Sequence, residues 1–234
     1  MCIRDREWHL WDHLVQDENP DAQNFGSLSD HPELFDINKG SIGWEPWEPS
    51  GDWMHCNTIS YNASLDQIVI SSRFQNEIYV IDHSTTTEQA AGHTGGNSGK
   101  GGDFLYRWGN PQNYDRGGSL DQLLSAQHSV NWIPNEFPGG GNFILYNNGY
   151  NKAIEFLPPI DENGNYFINI HNNPLGKAKA YDHFKNFLNY IDPSNINEYL
   201  DTVNANEVFL IDKFTCSFFY KYKINFNRYR KQLK

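Results

Sequence analysis

Short stretches rich in β-branched, aromatic and other apolar residues are separated by turn residues, the pattern of β-strands. Residues 55–61 form the first stretch, 67–73 the second, 77–82 the third and, after a glycine-rich excursion, 104–108 the fourth. The cycle restarts at 128–133 and runs through 142–147 and 152–157, with 166–170 placed to close a second set of four. A four-stranded antiparallel meander repeated head to tail is the sequence form of a β-propeller blade, whose first strand lines a central channel. With 7–11 read as a strand ending a preceding blade, the expected fold is all-β: a partial β-propeller of about two and a half blades. A sandwich of two sheets is the structural alternative.

Composition agrees with that reading. The 234 residues hold 28 asparagines, 19 glycines and 11 prolines, which favour turns over helices. An aromatic share of 15% supplies large side chains for a core. The longest apolar runs are four or five residues, far below the roughly 20 needed to cross a bilayer as a helix, so no membrane span is expected. The formal charge of −11 argues against nucleic acid as a partner, since phosphate neutralisation needs a basic surface. Cys2, Cys56 and Cys216 are too few and too scattered for a disulfide framework or a thiolate metal site.

Residues 1–176 are assigned to the partial propeller and 177–234 to a divergent tail of low order, with short helices expected around 182–190 and 196–203. From Lys213 onward the tail has seven basic residues and no acidic one, which reads as a solvated end. The opening residues 1–6 resemble sequencing-adapter read-through and lack the order of a secretory signal. The natural start is therefore expected upstream, where an export signal would lie.

A candidate site follows from hairpin register. If Tyr61 faces Gln67, then Ile59 faces Val69, Asn57 faces Ser71 and His55 faces Arg73. Alternation puts His55 and Asn57 on one face and Cys56 on the other. His128 enters the next repeat at the place equivalent to His55. Two imidazoles, a guanidinium and an amide, with no carboxylate among them, suit a multi-oxygen anion such as sulfate or phosphate. One imidazole then serves as nucleophile and the other as general acid and base. Spacing alone leaves this reading level with four unrelated polar residues.

Asp52-Trp53-Met54-His55-Cys56-Asn57, Ala126-Gln127-His128 and the segments 65–73, 81–86, 91–96, 99–103 and 106–111 together resemble the bacterial arylsulfate sulfotransferase family, over roughly residues 7–160. The resemblance implies a six-bladed propeller that moves a sulfuryl group from an aryl sulfate to a phenol, with no nucleotide donor, no cofactor and no metal. It implies His128 as the nucleophile that becomes sulfohistidine, with His55, Asn57 and Arg73 completing the catalytic set. Arg73 and Asn57 would hold the sulfuryl oxygens. His13 is the counterpart, on a weak local motif, of a further substrate-binding histidine. A periplasmic or secreted location is implied in the same way, and oligomeric state is left open. The alternatives are a propeller that binds ligands or partners without turnover, and an inactive fragment of the enzyme.

Three features invite other readings. His9 and His13 have the spacing of a helical metal pair, which the expected strand disfavours. Residues 95–101 resemble a phosphate loop, but Lys100 precedes glycine and a strand follows where a helix belongs. The segment reads as a rim loop whose Lys100 attracts anions, with His83 and His93 structural. Asp66, Asp82 and Asp103 are expected to cap turns.

Overall fold

A computed structural model describes residues 6–39, 52–137 and 139–166, and the backbone of 179–181, 210–211 and 218–219. The chain is all-β, with two four-stranded antiparallel sheets. The first runs β1 (Cys56–Asn62), β2 (Gln67–Ser72), β3 (Glu77–Asp82) and β4 (Phe104–Trp108), each paired with its predecessor. The second runs β5 (Gln127–Trp132), β6 (Phe143–Asn147), β7 (Lys152–Phe156) and β8 (Lys179–Tyr181). The only α-helix among the described residues is one turn, α1 (Thr87–Ala90), inside the glycine-rich excursion and closed by a Thr86/Gln89 capping box. No helix among the described residues is long and apolar enough to cross a membrane.

Alternation explains the packing. Val69, Ile78, Val80, Tyr106 and Trp108 of the first sheet meet Val130, Trp132, Phe143, Leu145, Ile154 and Phe156 of the second in one buried cluster. Trp108 and Phe156 lie with ring centroids 4.2 Å apart. Each such buried side chain stabilises the fold by about 1.5–3 kcal/mol relative to exposure. The other face of the first sheet, with Tyr79, Ile81 and Phe104, is covered by Phe35, Trp8, Leu14 and Trp53. Strands β3 and β4 are therefore buried on both sides, β1 keeps Ile59 and Tyr61 exposed, and β5 lies against β1 and β2.

Three expectations are corrected. The strand expected over 7–11 is absent: residues 6–9 have no regular structure and Leu10–Asp12 is a 3₁₀ turn. Its aromatics stack on separate partners, half-buried Trp8 on His13 and exposed Trp11 on Trp53, so no common sheet face exists. The segment instead makes isolated parallel bridges, Leu14 to Phe35 and Gln16 to Phe25. The fourth strand of the second sheet is Lys179–Tyr181; Tyr166 makes an isolated bridge to Ile160, and 167–170 lie outside the described residues. Asp161 folds the chain there by accepting the amides of Asn163 and Asn165, and Tyr166 stacks on Tyr106 and donates to Gln67 Oε1 at 3.0 Å.

The third correction is register. The hairpin pairs Asn62 with Gln67, so Ser60 faces Val69 and Thr58 faces Ser71, one residue from expectation. Asn62 Oδ1 accepts the amides of Ser64 and Leu65, an Asx turn that shortens the loop by one residue.

The chain divides into two units, residues 1–180 and 181–234. The described part of the second is an antiparallel pair, β9 (Leu210–Ile211) with β10 (Phe218–Phe219). The helices expected around 182–190 and 196–203 fall outside the described residues.

Candidate active site

The register error cancels where it matters. A β-bulge at Asn57 restores the frame, so Cys56 faces Ser72 and the Arg73 amide donates to the His55 carbonyl at 3.2 Å. A second bulge interrupts β5 between His128 and Asn131. Bulges bend a strand and re-aim its side chains, and here both stand at the start of a sheet's first strand. His55 (φ 44°), Ala126 (φ 50°) and Ser129 (φ 59°) all occupy the left-handed region. For residues with a Cβ this costs roughly 1–2 kcal/mol each, a cost met by the surrounding hydrogen bonds.

Those bonds are specific. Ala126 donates its amide to Asn76 Oδ1 at 2.7 Å, and its carbonyl accepts from His128 Nδ1 at 2.9 Å. A carbonyl only accepts, so Nδ1 carries the proton and Nε2 holds the lone pair. The Asn148 amide group stands 3.0 Å from the same Nδ1, and with Nδ1 protonated it is the amide oxygen that must be turned to this atom. Gln127, wholly buried, donates to Ser71 Oγ (3.2 Å), Ser72 O (2.8 Å) and Glu77 O (2.8 Å), which roots β5 in the first sheet. Asn57 ties the strands from the other side, donating to Gln127 O at 2.7 Å. Its amide nitrogen is thus engaged one residue before His128, a positioning contact that spacing did not suggest.

His55 donates through Nδ1 to the Asp52 carboxylate and packs its ring 4.7 Å from Phe74. The Arg73 guanidinium lies 5.5 Å from the centre of the same ring. Asp52 therefore supplies the carboxylate that the sequence reading found missing. The sequence signals it only by its place three residues before His55.

His128 is drawn into this group electrostatically. Partial burial pushes its pKa below the ordinary 6.5, the bond to Ala126 opposes this, and the charges of Arg73 and His55 depress it further. Burial likewise lowers Arg73 against the pull of Asp52. Two imidazoles and a guanidinium thus share one electrostatic site, with a carboxylate behind His55. The equivalence expected between His55 and His128 is displaced: His55 and Ala126 each stand in the left-handed region just before the strand, so His128 occupies the position of Asn57.

His13 lies elsewhere. Its ring is wholly buried, stacked on Trp8, with Nδ1 2.8 Å from Asp103 Oδ1 and Nε2 2.8 Å from Ala90 O. Asp103 therefore does not cap a turn with its side chain as expected; it holds two histidines, His93 Nδ1 also approaching Oδ1 at 2.8 Å. Asp66 receives His83 Nδ1 (2.7 Å) and Tyr61 OH (2.8 Å). Asp82 does organise the rim loop, accepting the amides of Ser84 and Ser98 at 2.8 Å each.

The family model for Arylsulfotransferase (ASST) matches residues 6–228, beyond the stretch that the motifs cover. No curated protein and no solved structure matches the chain.

Proposed function

The chain belongs to the arylsulfotransferase family, and on that premise we propose that it transfers a sulfuryl group from an aryl sulfate to a phenol through a sulfohistidine on His128. The two sheets are read as successive blades of a propeller, with β1 and β5 toward its axis. The site of action is placed outside the cytoplasm, as the family resemblance implies.

One observation carries the mechanism: His128 has Nδ1–H directed to a carbonyl and its pKa depressed beside Arg73 and His55. Its Nε2 lone pair attacks sulfur in line, forming the N–S bond as the S–O(aryl) bond breaks. His55, doubly protonated, gives its Nε2 proton to the departing phenolic oxygen. Asp52 orients that ring through Nδ1–H. The Nδ1–H of the sulfonated His128 stays on Ala126 O, which offsets the positive charge the ring gains. Arg73 stabilises the charge spread over the sulfuryl oxygens, with Asn57 at the edge of the site as the second oxygen contact. An incoming phenol returns a proton to His55 and attacks sulfur, the N–S bond breaks, and His128 is restored. The kinetics are ping-pong.

The test is 4-nitrophenyl sulfate with and without a phenol acceptor. Nitrophenol release that rises with acceptor, and parallel double-reciprocal plots, support the proposal; no release overturns it.

A pH profile probes the electrostatics. The attacking form of His128 is neutral, and a lowered pKa keeps it neutral further into acid. The acid limb of kcat/KM is therefore expected below pH 6.5. Arg73→Gln removes one depressing charge, so the limb moves upward while burial keeps part of the shift. An unmoved limb in that variant would show that Arg73 does not act on His128.

A further inference from the structure

We propose that His13, His93 and Asp103 form a divalent transition-metal site of the zinc class, which staples the N-terminal segment to the glycine-rich loop of the first sheet. The proposal is independent of the sulfuryl-transfer reading, because none of the three belongs to the His55/Arg73/His128 group.

The donor atoms converge. One ligand atom from each residue lies within 4.8 Å of the other two. Both Nδ1 atoms stand 2.8 Å from the same Asp103 Oδ1. Around a tetrahedral ion with bonds of about 2.0–2.2 Å, donors stand roughly 3.3 Å apart. Opening each contact by a few tenths of an ångström is enough to admit the ion. Two imidazoles and a carboxylate are a borderline donor set that suits zinc or cobalt over magnesium or calcium.

The outer contacts fit a metal as well. His13 Nε2 donates to the Ala90 carbonyl at 2.8 Å, and that bond fixes the tautomer with the Nδ1 lone pair facing Asp103.

The pocket for the ring is built by the backbone. A Cβ on Gly102 would come within 2.5 Å of His13 Nε2 and 2.1 Å of Ala90 O, so only glycine admits the ring there. Trp8 closes the other side, stacked at 5.7 Å with its indole N–H on Gly102 O at 2.8 Å. His93 is 59% exposed and lines a cleft of about 570 Å³ with Trp11, Asp12 and His31. The ion's remaining position is thus open toward solvent.

Sequence reading treated the three separately, because His13 lies ninety residues from Asp103. Only His93 and Asp103, ten residues apart across the loop, have local spacing.

The test uses the full chain, stripped with chelator and titrated with Zn²⁺ and then Co²⁺. One equivalent of zinc per chain is expected, with a rise in Tm of several degrees. Cobalt should give visible ligand-field bands of a nitrogen- and oxygen-ligated four- or five-coordinate ion. His93→Ala, an exposed position, is expected to weaken zinc about tenfold or more and to abolish the cobalt bands. Absence of uptake by the wild-type chain overturns the site and leaves a hydrogen-bonded triad. Binding by His93→Ala equal to wild type also overturns it, because the ion then sits elsewhere.

Discussion

Replacing His128 with alanine should reduce nitrophenol release from 4-nitrophenyl sulfate by about 10⁴-fold or more, the scale of losing a covalent nucleophile. That factor corresponds to about 5.5 kcal/mol of transition-state stabilisation. The loss should fall on kcat and kcat/KM together, since the N–S bond exists only beyond the ground state. His55→Ala should cost less, about 10²–10⁴-fold for a general acid, and least with good leaving groups that depart without a proton. Intact-mass analysis during turnover should show the wild-type chain heavier by one sulfuryl group, carried on His128. Because the ring is only half-buried, the alanine variant should melt close to wild type. Transfer within tenfold of wild type by a folded His128→Ala, or an adduct mapped to another residue, would end the sulfohistidine proposal.

The largest expected effect on stability lies at Arg107. Its side chain is 1% exposed and Glu77 is fully buried; Arg107 Nε meets Glu77 Oε1 at 3.0 Å and Nη2 meets Oε2 at 2.5 Å. Nη1 bonds Leu34 O at 3.0 Å and Pro32 O at 3.4 Å, and the guanidinium lies 4.1 Å from the centre of the Tyr114 ring. Glu77 also accepts from Tyr79 OH and Asn113 Nδ2, each at 2.9 Å. Burial alone would lower the arginine pKa, but Glu77 outweighs it, so the guanidinium stays charged. Arg107→Ala leaves Glu77 as an uncompensated buried carboxylate and should cost about 3–5 kcal/mol in urea unfolding. An Arg107→Met, Glu77→Leu double variant should recover only part of this, since Leu34 O, Tyr79 OH and Asn113 lose partners too. A loss below about 1 kcal/mol for Arg107→Ala would show that the pair is not the anchor described. The anchor reaches the active site, because the Glu77 carbonyl accepts from Gln127, the neighbour of His128.

Seven of the strands were legible because each is a short run of β-branched, aromatic and apolar residues bounded by turn residues, with ends correct to within a residue or so. Register was not, because a single Asx turn at Asn62 moved it by one and a bulge at Asn57 moved it back. Neither shifts hydrophobic periodicity enough to be read. The strand assigned to 7–11 failed for a related reason: aromatic density marks burial without saying against what. Of the proposed site, His55, Arg73 and His128 were named from motifs, and the charges of Arg73 and His55 bear on His128. Asp52 was quoted within a motif and given no role of its own. Asn57 was read only as an anion contact; its amide nitrogen also binds a neighbouring backbone carbonyl, which uses one of its two N–H groups.

By itself the sequence determined an all-β chain, seven of its strands in order, and the motifs that mark its family. These rest on periodicity, turn chemistry and contiguous motifs, all properties of neighbours along the chain. Tertiary structure alone decided that Asp52 backs His55, that Gln127 roots the strand of His128, that Arg107 neutralises Glu77, and that His13 meets His93 and Asp103. Each depends on left-handed residues, bulges and burial that bring distant segments within a few ångströms. No window of sequence encodes those distances.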